Sequence, residues 1–119
     1  MTLIMNSKNQ TLTVRVTGEL DLVTAPEFRE NVDQAMENRQ IQNLLIDLSE
    51  VSFIDSSGLG VLLGRYRKIK TNNGIMVLFG MNQNVKRVME LSGVMSFMLS
   101  CDTENDAWKI IEKMSLKEA

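Results

Sequence analysis

The chain has 119 residues, 44% apolar and 24% charged, with a formal net charge of −2, a profile that fits one globular domain over 1–119. It has no histidine and a single cysteine, Cys101, which excludes histidine-based triads, His-ligated zinc and an internal disulfide. The mild acidity gives no general attraction to nucleic acid or anionic membranes, the opening MTLIMNSKNQ does not read as a signal peptide, and no apolar run approaches the roughly 20 residues that span a bilayer, so the expected setting is the cytoplasm.

Leu3–Asn6 reads as a short strand and Ser7–Gln10 as a turn. Thr11–Thr17 alternates, with Leu12, Val14 and Val16 on one face, and predicts a half-buried strand hairpinned to the first. Gly18–Val23 is a connection. Thr24 and Glu27 form a capping-box pattern, Pro26 suits a first turn, and Phe28, Val32, Ala35 and Met36 carry a helix to about Asn38. Leu44–Leu48 is a nearly continuous apolar run, the mark of a buried parallel strand, and Ser49–Ile54 leads away from it. Leu59, Leu62, Leu63, Tyr66 and Ile69 form the stripe of an amphipathic helix that stops at Asn72-Asn73-Gly74. Ile75–Phe79 is a second buried strand. A third helix starts at Asn82 or Asn84, carries Val85, Val88 and Met89, and stops at Ser92-Gly93. Phe97–Leu99 reads as a last short strand. Thr103 and Asp106 then open a fourth helix carrying Ala107, Ile110, Ile111 and Met114. Strands alternating with helices predict an α/β domain with a mostly parallel sheet, an antiparallel N-terminal hairpin and about four helices.

The stretch Asp55-Ser56-Ser57-Gly58 concentrates turn and cap residues between an apolar strand and a helix. Strand–helix corners of parallel sheets carry function, and a helix N-terminus tolerates negative charge, so a serine here suits a bound or covalent phosphate. Equally, Ser56 or Ser57 caps the helix and Gly58 relaxes the turn. A hydrolase elbow, G-x-S-x-G, and a nucleotide loop, G-x-x-x-x-G-K-[ST], are both absent, so no cofactor is expected. Arg65, Arg67, Lys68 and Lys70 read as a solvated helix end, where cations complement the dipole. Glu19 and Asp21 read as surface acids, with metal binding or acid–base chemistry as the sharper alternative. Trp108 is expected at the core edge. The nine methionines fit flexible core filling or an adaptable binding face. A phospho-aspartate receiver built on Asp47, near a strand end, is a rival, but Leu3–Gln10 supplies no acid pair and Phe79–Met81 no lysine. A small carboxylate-based or nucleotide-dependent enzyme is another.

Three segments, GELDLVTA at 18–25, LLIDLSEVSFIDSSGLGVLLGRYRKIK at 44–70 and VKRVMELSGV at 85–94, together resemble the anti-sigma factor antagonists of Gram-positive bacteria, the STAS-domain family of the sporulation protein SpoIIAA and its stress-response relatives. The resemblance implies a single STAS-type domain that is not an enzyme and acts by partner switching. The unphosphorylated protein would bind an anti-sigma factor that is also a serine kinase and so free a sigma factor. Phosphorylation on the first serine of D-S-S-G, here Ser56, would break that complex, and a serine phosphatase would reset it. Asp21, Asp55, Ser56, Ser57, Gly58 and Leu59 match the partner-binding positions. Gly58 is expected to let another protein approach closely. The free protein is expected to be monomeric, with neither nucleic acid nor membrane as a partner. GRYRKIK is nearer the sporulation branch.

Overall fold

The computed structural model describes residues 1–118. In chain order it has β1 (Thr2–Lys8), β2 (Thr11–Leu20), α1 (Ala25–Asn38), β3 (Asn43–Ile54), α2 (Ser56–Thr71), β4 (Met76–Phe79), α3 (Gln83–Ser92), a 3-10 turn (Val94–Ser96), β5 (Leu99–Cys101) and α4 (Glu104–Glu118). The five strands form one sheet in the order β1-β2-β3-β4-β5. β1 and β2 are antiparallel, and the other pairs are parallel. Asn9 and Gln10, both at positive φ, make the tight β1–β2 turn, the backbone that a two-residue hairpin of this twist demands.

Strands that follow one another across a sheet, joined by right-handed crossovers, must carry their connecting helices on one face. So α1, α2 and α3 share a face: Phe28 and Val32, Leu62 and Ile69, and Val85 and Met89 bury themselves on Leu12, Val14, Leu44, Ile46 and Leu78. α4 follows the last strand, is not a crossover, and covers the other face, where Ala107 and Ile111 meet Leu45, Val77 and Phe79. Each of the larger of these side chains contributes about 1.5–3 kcal/mol when fully buried. All nine methionines lie in or against these two clusters, so they fill the core. Trp108 packs at the edge of the second cluster, its indole N–H donating to Glu104.

The two strands that lead to the corner are longer than expected. β2 runs on through the GEL segment to Leu20, and β3 through SEVSFI to Ile54, because each pairs with the other as far as Leu20 opposite Ile54. Register shifts at Arg15/Thr17 and Gly18/Glu19, with Gly18 at φ 104°, bend the pair without ending it. Asp47 is therefore in mid-strand. Its carboxylate is buried and accepts from Ser49 N, Ser49 Oγ and Arg15 Nε, which leaves it no part in receiver chemistry. β5 begins at Leu99, two residues later than expected, after Phe97 has packed its ring 5.3 Å from Tyr66.

Two helix features also differ. Thr24 does not cap α1; its backbone is already helical and its hydroxyl donates to Glu19 O instead. α2 buries Gly58, Val61, Leu62, Arg65 and Ile69, whereas Leu59, Leu63 and Tyr66 are only half-buried. Arg65 is thus inside the protein, not on a solvated end. Its Nε lies 2.8 Å from Asp33 Oδ1 on α1, with Lys68 Nζ 3.0 Å from the other carboxylate oxygen. The Arg65–Asp33 contact is misaligned for a hydrogen bond, so charge carries it. Burial lowers the Arg65 pKa and Asp33 opposes that shift. Asn82 caps α3 through Val85 N, and Thr103 caps α4 through Asp106 N.

Asp33→Ala would leave Arg65 buried without its counter-ion. Because Asp33 keeps some solvent exposure, the expected loss is about 2–3 kcal/mol, at or below the usual range for breaking a buried pair, read from urea unfolding midpoints.

Candidate functional site

The corner between β3 and α2 is organised by one carboxylate. Asp55 has extended backbone (φ −117°, ψ −171°) and ends the strand. Its Oδ1 accepts from Ser57 N at 2.9 Å and Gly58 N at 3.0 Å, satisfying the first free N–H groups of α2. Its Oδ2 accepts from Leu22 N at 3.2 Å, across 33 residues of chain. The helix cap is therefore the acid and neither serine, and both hydroxyls are free of that task. Ser56 is exposed and Ser57 half-buried.

The loop after β2 is organised by a second carboxylate. Asp21 Oδ1 accepts from Val23 N at 3.0 Å and Thr24 N at 3.1 Å. Thr24 Oγ1 accepts from Asp21 N at 3.0 Å and donates to Glu19 O at 2.8 Å. Asp21 thus closes the turn that enters α1, with Ala25 N bonded to Asp21 O. These bonds, above all the one from Thr24 N, hold the Asp21 carboxyl below its ordinary 3.8. That work explains Asp21 without metal or acid–base chemistry. Among the described residues no group of three or more His, Cys, Asp or Glu is placed to hold a metal ion.

Gly58 is buried, and its lack of a side chain has an intramolecular cause. A Cβ there would stand 2.1 Å from Leu20 O and 2.9 Å from an Ile54 side-chain carbon. Within the fold, the close approach that Gly58 permits is that of β2. This contact lets the loop after β2 lie against the start of α2, so Asp21, Asp55 and Ser56, up to 35 residues apart in the chain, come to one corner. Leu59 follows on α2, half-buried. Arg67, Lys68 and Lys70 are 11 to 14 residues further along the helix, roughly 16–21 Å away by helical rise, and do not belong to the corner.

Sequence reasoning missed two residues here. Leu22 and Val23 are 72% and 83% exposed, beside Asp55 through the Leu22 N–H. The available signal was two consecutive aliphatics between an acid and a helix-start threonine, in a segment of neither strand nor helix periodicity.

Residues 2–107 match the STAS domain family. The chain is 38% identical over 104 residues to the anti-sigma F factor antagonist of Paenibacillus polymyxa, covering 87% of this chain and 89% of that protein. It is 39% identical over 82 residues to the anti-sigma-B factor antagonist of Listeria monocytogenes, covering 66% of this chain and 68% of that one. Among solved structures, the Bacillus cell fate determinant SpoIIAA in its phosphorylated form aligns with a TM-score of 0.72 and 25% identity over 92% of this chain and 99% of that chain.

Gly58→Ala should cost about 3 kcal/mol, because the obstructing atom is backbone. Gly60→Ala, with nothing within 4 Å of the added Cβ, should instead stabilise by about 0.5–1 kcal/mol; urea unfolding of both variants checks the pair. The lowered Asp21 pKa stabilises the fold above the ordinary 3.8 and is lost as pH falls through the folded-state value. The melting-temperature gap between the protein and Asp21→Asn should therefore be present at neutral pH and close below about pH 4, as thermal melts across that range would show.

Proposed function

The chain belongs to the STAS-domain family of anti-sigma factor antagonists, and from that membership we propose that it works by partner switching at Ser56. In its unphosphorylated form it binds an anti-sigma factor that is also a serine kinase, and a sigma factor is released. Transfer of a phosphoryl group from ATP to Ser56 Oγ ends that binding, and a serine phosphatase restores it. The observation that carries this reading is the division of labour at the corner. Asp55 caps α2, so the exposed Ser56 hydroxyl can be modified without removing a structural bond.

The physical effect is local charge. A phosphoserine adds about −1.5 to −2 charges beside Asp55 and near Asp21, both acids. The N-terminus of α2 partly balances that charge in the free protein. A partner seated on the corner excludes water, and each charge then repels its neighbours more strongly. Asp21 and Asp55 hold the contact surface in shape, Ser57 and Leu59 border it, and Gly58 sets its closeness to β2. The protein itself performs no catalysis in this scheme.

Sporulation is the first pathway assigned, supported by the longer alignment with the anti-sigma F factor antagonist and by the GRYRKIK continuation. A stress-response circuit is the second, supported by the similar identity, 39%, with the anti-sigma-B factor antagonist.

Incubation with the cognate anti-sigma kinase and ATP should add one phosphate by intact mass, mapped to Ser56 and absent in Ser56→Ala. A phosphate mapped elsewhere, or none at all, would remove Ser56 as the switch.

A further inference from the structure

The pair Leu22–Val23 has no task within the fold. Both side chains are exposed, at 72% and 83%, yet their backbone is held in place. Leu22 N is bound to Asp55 Oδ2, Val23 N to Asp21 Oδ1, and the next N–H, Thr24 N, to the same Asp21 oxygen. Single exposed aliphatics are ordinary on a protein surface. Two in succession, presented on a loop pinned by three charge-assisted hydrogen bonds, are preorganised contact area, because little conformational freedom remains to be lost on binding.

We propose that Leu22 and Val23 form an aliphatic anchor that inserts into an apolar recess of the anti-sigma factor, next to the region that receives Ser56. This deepens the partner-switching reading and rests on it. Continuity commits the anchor to that partner, since the carboxylate that caps α2 behind Ser56 also fixes Leu22. The flanking acids Glu19, Asp21 and Asp55 disfavour an anionic membrane surface. A second copy of this chain is disfavoured by charge, because a two-fold contact through this loop would set Glu19, Asp21 and Asp55 against their own copies. The anchor needs further contacts beside it, and the Ser56 corner supplies them. The same geometry couples the anchor to the switch. A phosphate on Ser56 would stand beside Asp55, the acceptor that holds Leu22 in place.

The test is a titration of the purified protein, its Leu22→Ser/Val23→Ser variant, its Leu22→Ile/Val23→Ile variant and Ser56→Asp against purified anti-sigma F-type and anti-sigma-B-type factors of the source cell, at two salt concentrations. Substituting exposed side chains leaves every backbone N–H in place, and amide NMR spectra would verify that each variant is folded. The serine double variant should bind about 30- to 100-fold more weakly, about 2–3 kcal/mol at 1.4 kcal/mol per tenfold. The loss should lie in the dissociation rate and be nearly independent of salt, as for apolar contact. The isoleucine variant should stay within about threefold of the parent. If the parent binds and Ser56→Asp does not, while the serine double variant binds within about twofold of the parent, the anchor is refuted and the switch stands. If the parent binds neither factor, the partner-switching reading falls and the anchor with it.

Discussion

The Asp55 carboxylate is the constraint on which the corner depends. One oxygen closes the N-terminus of α2 and the other holds the backbone of the loop that follows β2. Remove it and two elements 33 residues apart lose their common fixing point. Its effect reaches the chemistry because the first N–H groups of α2 need acceptors. With Asp55 in that place, the serines that follow need not be, and Ser56 is left facing solvent. Gly58 makes the arrangement possible by letting the Leu20 carbonyl approach where any side chain would stand. Corner, cap and glycine therefore form one device that presents Ser56 at the surface.

The rest of the fold supplies rigidity behind that device. The β2–β3 ladder extends to Leu20 and Ile54, so the two loops leave adjacent strand ends and not free connections. α1 and α2, which begin at the corner, are tied to each other by Asp33 with Arg65 and Lys68. In the proposed complex, a surface held in this way would meet its partner without a large ordering cost. It also suits a switch that acts by charge. Two unit charges 4 Å apart interact by about 1 kcal/mol in water and about 4 kcal/mol at the effective dielectric of a protein surface. On the proposed switch, a phosphate at Ser56 would therefore disturb the solvated free protein little and a water-excluding complex much more.

Much of this was legible in the sequence. The order of elements, the antiparallel hairpin and the parallel strands follow from periodicity, and the motif at 55–58 marks the corner. What was not legible depends on distant partners. The polar Gly18-Glu19 and Ser49-Glu50 steps look like strand ends, and they remain strand only because each strand continues the other. Arg65 looks like its solvated neighbours until Asp33, 32 residues earlier, is placed against it. In Asp55-Ser56-Ser57 all three residues are good caps, and the choice fell to the acid because its second oxygen had a use on the neighbouring loop. The Thr24–Glu27 box failed for a similar reason, since Thr24 Oγ1 accepts from Asp21 N and not from the N–H groups of α1. The exposure of Leu22 and Val23 had only a weak local signal, two aliphatics in a segment without strand or helix periodicity.

The most direct measurement is the affinity for the anti-sigma factor of the protein carrying one phosphate on Ser56, titrated beside the unphosphorylated protein, with amide NMR shifts recorded for both forms. The account expects at least a hundredfold loss of affinity, with shift changes confined to residues near 20–24 and 54–60. Equal affinities would contradict the switch. A loss accompanied by shifts throughout the core strands would contradict its local, electrostatic origin.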